Sequence, residues 1–429
     1  MIALLEKAAD DSALAADCAI ALSAAKSARP DWERRSIAER ARCIGSLRPL
    51  LSACARDLAQ AAAARADRPI AEKMVSEVLP LIEAARFLEK NAARILRSRS
   101  SGRKGRPVWL YGSSFEVHRK PYGVVLIVGP SNYPLFIPLV QVLHALAAGN
   151  AVLVKPAEGA SDIIALFRER VLDRCGIPAG LVQVLPEPPE AARIAARAAD
   201  KVFFTGSTEH GRDLLHVLAD RNTPSVMELS GADTVFVRAD ADVTRAAKAI
   251  AFGLRLNAGN TCMAPHSIVV HESVAAELLD ALRSVEIDRD RVYIVADDAA
   301  ALQIASFDKH GLGAAIFSQD ETAARSFAQQ LKTGFVTIND LIVPTADPRF
   351  PFGGVGASGF GTTRGAEGLL EMTYPHAIAV RRGRFLPHLG EPREGDADLF
   401  ESYLATAHAR GLKQRWRAAR KLLALARRR

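Results

Sequence analysis

From Gly123 onward, short apolar runs alternate with longer segments of helical spacing. Val124–Val128, Ala151–Val154, Leu181–Leu185, Val202–Thr205 and Val235–Val237 are rich in β-branched side chains. Continuous apolar runs of that length, separated by helices, predict a parallel, doubly wound sheet buried on both faces. A second set follows at Ser267–Val270, Val292–Val295, Ala314–Phe317 and Val336–Ile338, with helices near 274–284 and 321–332. It predicts a second, smaller α/β unit. Upstream, residues 1–98 are rich in Ala, Leu, Glu and Arg, and Val78, Leu81, Ile82 and Ala85 fall at i, i+3, i+4 and i+7, so several helices are expected. Pro80 falls inside that pattern and marks either a kink or the first turn of a new helix. Ser98–Arg106 reads as a linker, and Ser114–Pro121 alternates like an exposed edge strand or hairpin arm.

With 429 residues, 49% apolar and 24% charged, the chain can bury the cores of two or three domains. No apolar stretch approaches the ~20 residues of a membrane span, and no basic region with an apolar signal core opens the chain, so a cytoplasmic location is the default expectation. Cys18, Cys43, Cys54, Cys175 and Cys262 are odd in number and scattered without a CxxC pair. Neither a disulfide framework nor a zinc site is indicated. The net charge of +8 is concentrated at the end, where residues 383–429 hold eleven Lys or Arg against five Asp or Glu. The remainder is nearly neutral and gives no reason to invoke nucleic acid. In the tail, Leu399, Phe400, Tyr403, Leu404, Leu412, Trp416, Leu422, Leu423 and Leu425 fall among Arg410, Lys413, Arg415, Arg417, Arg420, Lys421 and Arg427–Arg429, suggesting a basic amphipathic helix. Such a helix either lies on an anionic membrane surface or packs on its own chain or a neighbour.

The candidate chemistry sits at strand ends. Gly129-Pro130-Ser131-Asn132-Tyr133 follows the first apolar run, at the carboxyl end where open α/β sheets bind ligands. Lys155-Pro156-Ala157-Glu158 follows the second and offers two groups for ribose hydroxyls, or a solvated pair. Thr205-Gly206-Ser207-Thr208 joins a strand to a helix capped by Ser207 or Thr208, a start that suits a phosphate. It has neither the P-loop lysine nor a full GxGxxG. Glu228 stands at a strand end in Met227-Glu228-Leu229-Ser230-Gly231, and thirty-four residues later Cys262 stands in a small, Gly-containing turn, Asn257–Met263. Alone, Glu228 reads as a hydrogen-bonded strand-end carboxylate and Cys262 as a small buried apolar residue. Four such motifs in one order point instead to a site with a thiol nucleophile and a base.

Together these residues resemble the NAD(P)-dependent aldehyde dehydrogenase superfamily over about residues 25–382. Ser131-Asn132-Tyr133-Pro134 is similar to its tryptophan-asparagine-aromatic-proline motif, Lys155–Glu158 to its cofactor-ribose motif and Phe204–Ser207 to its pyrophosphate turn. Met227–Gly231 resembles its glutamate motif, Asn257–Cys262 its nucleophile loop and Pro351–Gly361 its late Gly-rich segment. The resemblance implies an α/β fold with a doubly wound cofactor domain, a smaller α/β catalytic domain and an oligomerisation arm. The boundaries it implies are a helical part at 1–106, an arm at 107–122, an NAD(P)-binding domain at 123–230, a shortened catalytic domain at 231–350, a Gly-rich return and oligomerisation strand at 351–382, and the basic tail at 383–429. It further implies oxidation of an aldehyde to an acid, with Cys262 as nucleophile, Asn132 and the Cys262 N–H as oxyanion donors, and Glu228 as hydrolytic base. Pro130, Ser131, Lys155, Glu158, Gly206 and Ser207 would hold the cofactor. Glu158 favours NAD, with NADP as the alternative. The terminal strand around Met372–Arg381, pairing with a neighbour's arm such as Phe115–Pro121, implies a homodimer.

The chain departs from the family pattern in three places. The interval between Cys262 and Gly311 is several dozen residues short, and the family's Glu-x-Phe-Gly-Pro motif is reduced to Glu286 in Glu286-Ile287-Asp288-Arg289-Asp290. Ser131 replaces the family's tryptophan, which enlarges the substrate-side wall. The basic tail is an addition. An acyl-thioester reductase using the same cysteine, or an inactive scaffold of this fold, are the alternatives to an aldehyde-oxidising enzyme.

Overall fold

Apolar runs bounded by turn residues form the two larger of four sheets in the computed structural model, which describes residues 2–102, 104–107, 110–383, 386 and 389–427, with side chains from Ser12 onward. In chain order the strands are β1 (Arg99–Ser100), β2 (Ser113–Pro121), β3 (Val124–Val128), β4 (Ala151–Lys155), β5 (Val182–Val184), β6 (Lys201–Thr205), β7 (Ser225–Glu228) and β8 (Thr234–Val237). They continue as β9 (Ser267–His271), β10 (Val292–Val295), β11 (His310–Gly311), β12 (Gly313–Phe317), β13 (Phe335–Ile338), β14 (Val355–Gly356), β15 (Gly359–Phe360) and β16 (Thr373–Arg381). The α-helices are α1 (Ile2–Arg34), α2 (Ile37–Gly45), α3 (Leu47–Ala53), α4 (Ala55–Ala66), α5 (Ile70–Lys73), α6 (Leu79–Ile95), α7 (Phe136–Ala148), α8 (Ser161–Arg170) and α9 (Pro189–Ala196). After them come α10 (Thr208–Ala219), α11 (Val243–Arg255), α12 (Glu272–Ala281), α13 (Asp298–Phe307), α14 (Glu321–Ala328), α15 (Gly365–Glu371), α16 (Asp396–His408) and α17 (Leu412–Arg427).

The chain divides into two compact units, residues 1–99 with 117–377 and residues 100–116 with 378–429. In the first, a six-stranded sheet runs β15-β7-β6-β3-β4-β5, parallel except for β15. Strand order reverses on either side of β3, which creates the switch point where such sheets bind ligands. Register then does the placing: Val128 lies beside Lys155 and Phe204, and Thr205 beside Glu228, so the predicted residues share one sheet edge. The N-terminal helices close the other end of α7. Trp32, fully buried, donates to the Leu146 carbonyl at 2.9 Å, and Arg40 donates to Ala147 at 3.1 Å and Ala148 at 3.3 Å. Those are C-terminal carbonyls with no partner inside the helix. Pro80 stands in the first turn of α6, directly after a π-helical turn at Met74–Val78, and the backbone stays right-handed helical across the junction at Val78 and Leu79.

The second sheet is fully parallel, β10-β9-β8-β12-β13. Val235–Val237, grouped above with the first sheet, is its central strand. Its side chains alternate between two cores, Val235 and Val237 with Ile250 and Ile268, and Phe236 with Ile316 and Phe327. An apolar run reports burial on both faces but not which sheet provides it. Each such buried side chain contributes roughly 1.5–3 kcal/mol.

β1, β2 and β16 form a three-stranded sheet in that order. The terminal strand therefore pairs with the arm strand of its own chain, where pairing with a neighbour's arm was expected. In the second unit the tail is a hairpin of α16 and α17 rather than the single helix expected, because Ala409-Arg410-Gly411 interrupts it. Arg415 binds the Thr406 and Ala407 carbonyls at the end of α16, at 2.9 and 3.0 Å, and Lys421 pairs with Asp398 at 3.0 Å. Arg428 and Arg429 lie outside the described residues. Among the described residues no helix is long and apolar enough to cross a membrane.

Candidate active site

The loop after α11 turns left-handed at three consecutive residues, Asn257 (φ 52°), Ala258 (φ 54°) and Gly259 (φ 78°). For the first two this costs on the order of 1–3 kcal/mol each, so other contacts must hold the loop. Asn257 is the clamp. Its N–H donates to Glu72 at 3.1 Å, its side-chain oxygen accepts from Lys73 at 3.0 Å, and its side-chain nitrogen donates to the carbonyls of Asn132 (3.0 Å) and Asn260 (3.2 Å). Lys73 is fully buried, pairs with Glu77 at 3.0 Å and reaches the Asn132 carbonyl at 3.4 Å. Glu77 in turn accepts the N–H groups of Leu135 (2.8 Å) and Phe136 (3.2 Å) where α7 begins. Tyr133, with its phenol bonded to the Thr261 hydroxyl at 2.7 Å, completes the stitching of the Asn132 loop to the Cys262 loop. Sequence reasoning missed Lys73 and Glu77, since an i, i+4 Lys/Glu pair in a helix-rich segment looks like a solvated surface pair.

Cys262 is partly buried. Burial first, then the nearby carboxylates of Glu228 and Asp233, push its thiol up to about 12, while Arg364 pulls it the other way. Glu228 ends β7 and is buried, which raises its carboxyl despite hydrogen bonds from Thr363 and Thr205 and the charge of Arg364. The Thr205 hydroxyl donates to one oxygen at 3.0 Å and the Thr363 hydroxyl to the other. The late Gly-rich segment braces this strand end. Gly359 (φ +101°) lies against β7 so closely that a Cβ would sit 1.9 Å from the Met227 carbonyl oxygen, and a Cβ on Gly231 would sit 2.2 Å from that of Cys262. Only glycine permits either approach.

Two cavities meet at the thiol. One of about 630 Å³ is lined by Pro130, Ser131, Asn132, Gly206 and Ser207 among others. The second, about 920 Å³ and predominantly apolar, is walled by residues such as Val75, Leu79, Phe136, Val140, Ile342 and Phe352. Cys262, Glu228, Ile137 and Phe352 line both. Asn132 accepts the Tyr133 N–H at 2.9 Å with its side-chain oxygen, which leaves its NH₂ as the end available to a ligand. Ser131 lines the smaller cavity and not the apolar one, so its replacement of tryptophan does not enlarge the substrate-side wall as expected.

The smaller cavity fits a dinucleotide at its phosphate turn. Gly206 packs flush on Phe204, whose ring would lie 2.7 Å from a Cβ there, and Ser207 caps the twelve-residue α10 by accepting the His210 N–H at 3.3 Å. Lys155 and Glu158 follow β4 on the same sheet edge but do not line this cavity. Burial holds the Lys155 ammonium below its ordinary range, while Glu158 is exposed. Two residues absent from the sequence reading build this edge. Arg65 donates to the carbonyls of Ser131 (2.8 Å), Gly159 (3.2 Å) and Glu158, and Glu187 accepts the Gly159 and Ser161 N–H groups at 2.7 and 2.8 Å, which holds its carboxyl near 2. Both act on backbone, and no motif spacing signals that. Glu286 is exposed and lines neither cavity.

The chain is similar to known proteins in sequence and in fold. A family profile described as the aldehyde dehydrogenase family matches residues 8–285 and 291–378. The 4,4'-diapolycopene aldehyde oxidase of a Methylomonas species is 28% identical over 424 residues, covering 82% of this chain and 79% of that protein. The 4,4'-diaponeurosporen-aldehyde dehydrogenase of Staphylococcus aureus is 27% identical over 349 residues, covering 65% and 76%. In fold, the solved NAD-dependent aldehyde dehydrogenase of Sinorhizobium meliloti superposes with a TM-score of 0.81 at 24% identity, covering 87% of this chain and 88% of that one.

Proposed function

The chain belongs to the aldehyde dehydrogenase family, and from that premise we propose that it oxidises an aldehyde with a large apolar body to the corresponding acid, through a thioester on Cys262. The observation that carries this is the position of Cys262 and Glu228 where a dinucleotide-type cleft meets an apolar cavity of about 920 Å³. The Methylomonas and Staphylococcus relatives are named for 4,4'-diapolycopene and 4,4'-diaponeurosporene aldehydes, which supports an apolar substrate class. The reductase and scaffold alternatives are disfavoured: Glu228 would hydrolyse the thioester a reductase must keep, and the relatives are named as oxidising enzymes.

In the proposed reaction the neutral Cys262 thiol loses its proton to solvent and attacks the carbonyl carbon as the thiolate. The Asn132 NH₂ and the Cys262 N–H receive the oxyanion. When bound, NAD or NADP accepts the hydride that leaves the thiohemiacetal carbon. Gly206, Ser207, Pro130 and Ser131 would hold its phosphates and nicotinamide half, with Lys155 and Glu158 at the ribose; the Glu158 carboxylate favours NAD over a 2′-phosphate. Glu228 then takes a proton from the water that attacks the thioester carbon, the C–S bond breaks and the acid leaves. The test is NADH formation with short, aromatic and long-chain aldehydes, with Cys262→Ala as control. Absence of NADH for every aldehyde ends the proposal.

β16 has its neighbour β2 on one side only and is largely exposed, so we place a homodimer contact there, to be checked by light scattering. Helix α17 holds Lys413, Arg415, Arg417, Arg420, Lys421 and Arg427 with no acidic residue, beside exposed Leu412, Trp416 and Leu423. This composition supports peripheral contact with an anionic membrane by a cytoplasmic protein. Vesicle sedimentation with and without residues 383–429 decides it.

A further inference from the structure

One cation in the apolar cavity takes no step in the reaction above, although its charge acts on Cys262 and Glu228. Arg364 precedes α15, is 8% exposed, and lines the cavity together with Cys262 and Glu228. Its guanidinium stacks over Phe352 at 4.2 Å and over Phe136 at 5.6 Å. Of its five N–H donors one is engaged, with Nη1 donating to the Thr345 carbonyl at 2.7 Å. Among the described residues no carboxylate forms an ion pair with it, and the two oxygens of Glu228 are taken by Thr205 and Thr363. Arginine stays protonated when buried, and the charge of Glu228, which favours it without touching it, leaves four of its N–H donors without an acceptor. The other arginines of the cavity differ: Arg68 is paired with Glu72 at 2.5 Å, and Arg255 is exposed. The free donors of Arg364 are therefore a planar fork open to an apolar chamber, beside the reacting atoms.

We propose that Arg364 is a carboxylate-binding site, and that its ligand is an apolar monocarboxylate, the acid the chain itself releases. The second half rests on the proposed function. Hydrolysis of the thioester joins the water oxygen to the carbonyl carbon, breaks the C–S bond, returns a proton to the Cys262 sulfur and leaves R–COO⁻ with one proton for solvent. At that point the cavity holds an apolar body ending in an anion at Cys262. A guanidinium fork matches a carboxylate in geometry and charge, and phenylalanine faces hold the fork flat. Arg364 thus makes the cavity selective for acid over neutral ligands of the same shape, and makes the product a competitive inhibitor.

The test is calorimetric titration of the full chain, without cofactor or aldehyde, with decanoate and with decanamide. Wild type is expected to bind decanoate at least ~10-fold more tightly, the ratio that a charged hydrogen bond supplies. Arg364→Gln is expected to bind both equally while retaining decanamide, which also shows that the cavity is folded, and Arg364→Lys to keep part of the preference. Equal binding by wild type, binding of neither, or an undiminished preference in Arg364→Gln overturns the site. NADH formation with decanal is measured in parallel. Preference without turnover removes the proposed reaction and leaves the site, whereas turnover without preference removes the site alone.

Discussion

Replacing Lys73 with Met tests whether the active-site loops are held by one buried charge. The substitution deletes an ammonium that pairs with Glu77 at 3.0 Å and donates to Asn257 at 3.0 Å, in a position with no exposure. Glu77 would keep only the Leu135 and Phe136 N–H groups. Removing one partner of a buried ion pair costs about 3–5 kcal/mol. The unsatisfied Asn257 oxygen adds about 1 kcal/mol, for a total near 4–6 kcal/mol. Against a typical stability of about 5–15 kcal/mol this is a large fraction. Urea unfolding followed by circular dichroism at pH 7.5 measures it. Lys73→Met combined with Glu77→Gln removes the orphaned charge while keeping an acceptor for α7, so it should recover at least half of the loss. A loss below about 1 kcal/mol for Lys73→Met, or a double variant as unstable as the sum of the singles, would refute the reasoning.

Three further outcomes are expected. Because the Cys262 thiol is pushed up to about 12, its alkylation by iodoacetamide in the free chain should rise about tenfold per pH unit from 8 to 11 without a plateau, and Glu228→Gln should speed it at any one pH; a plateau near pH 9 contradicts this. Burial raises the Asp233 carboxyl to about 7, against about 3.9 in an unfolded chain. Its stabilising contribution is complete below about pH 4 and gone above about pH 7, so Asp233→Asn should flatten the fall in stability between those two values, and an unchanged slope removes the assignment. Asn132→Ala should lower kcat by about 10²–10³ with little change in stability, measured by NADH formation and urea melts side by side.

Much of the fold was legible because strands buried on both faces leave continuous apolar runs, and the site was legible where it uses strand ends, as at Asn132, Gly206 and Glu228. Val235–Val237 went to the wrong sheet because Leu229–Asp233, five residues, suffices to carry the chain from one sheet to the next, and periodicity is silent about partners. Lys73 and Glu77 were passed over because an i, i+4 pair looks solvated, and Arg65 and Glu187 because they act on backbone carbonyls and N–H groups, contacts that leave no pattern in the residue types they serve. Arg364 lies three residues beyond the end of the Gly-rich segment and two after Thr362, in a stretch whose apolar surroundings come from Phe136 and Phe352 far apart in the chain. The tail was read as one amphipathic helix because apolar residues recur on both sides of the break at Ala409–Gly411, from Leu399, Phe400, Tyr403 and Leu404 to Leu412 and Trp416, while the charge changes from acidic in α16 to basic in α17.

The central claim is a covalent route in which Cys262 forms a thioester that Glu228 resolves. Its most direct test is intact mass spectrometry of Glu228→Gln mixed with NAD and decanal, quenched in acid. An acyl adduct on Cys262 is expected, formed together with about one equivalent of NADH and absent in Cys262→Ala. NADH formed by Cys262→Ala at the wild-type rate, or turnover by Glu228→Gln equal to wild type with no adduct, would contradict it.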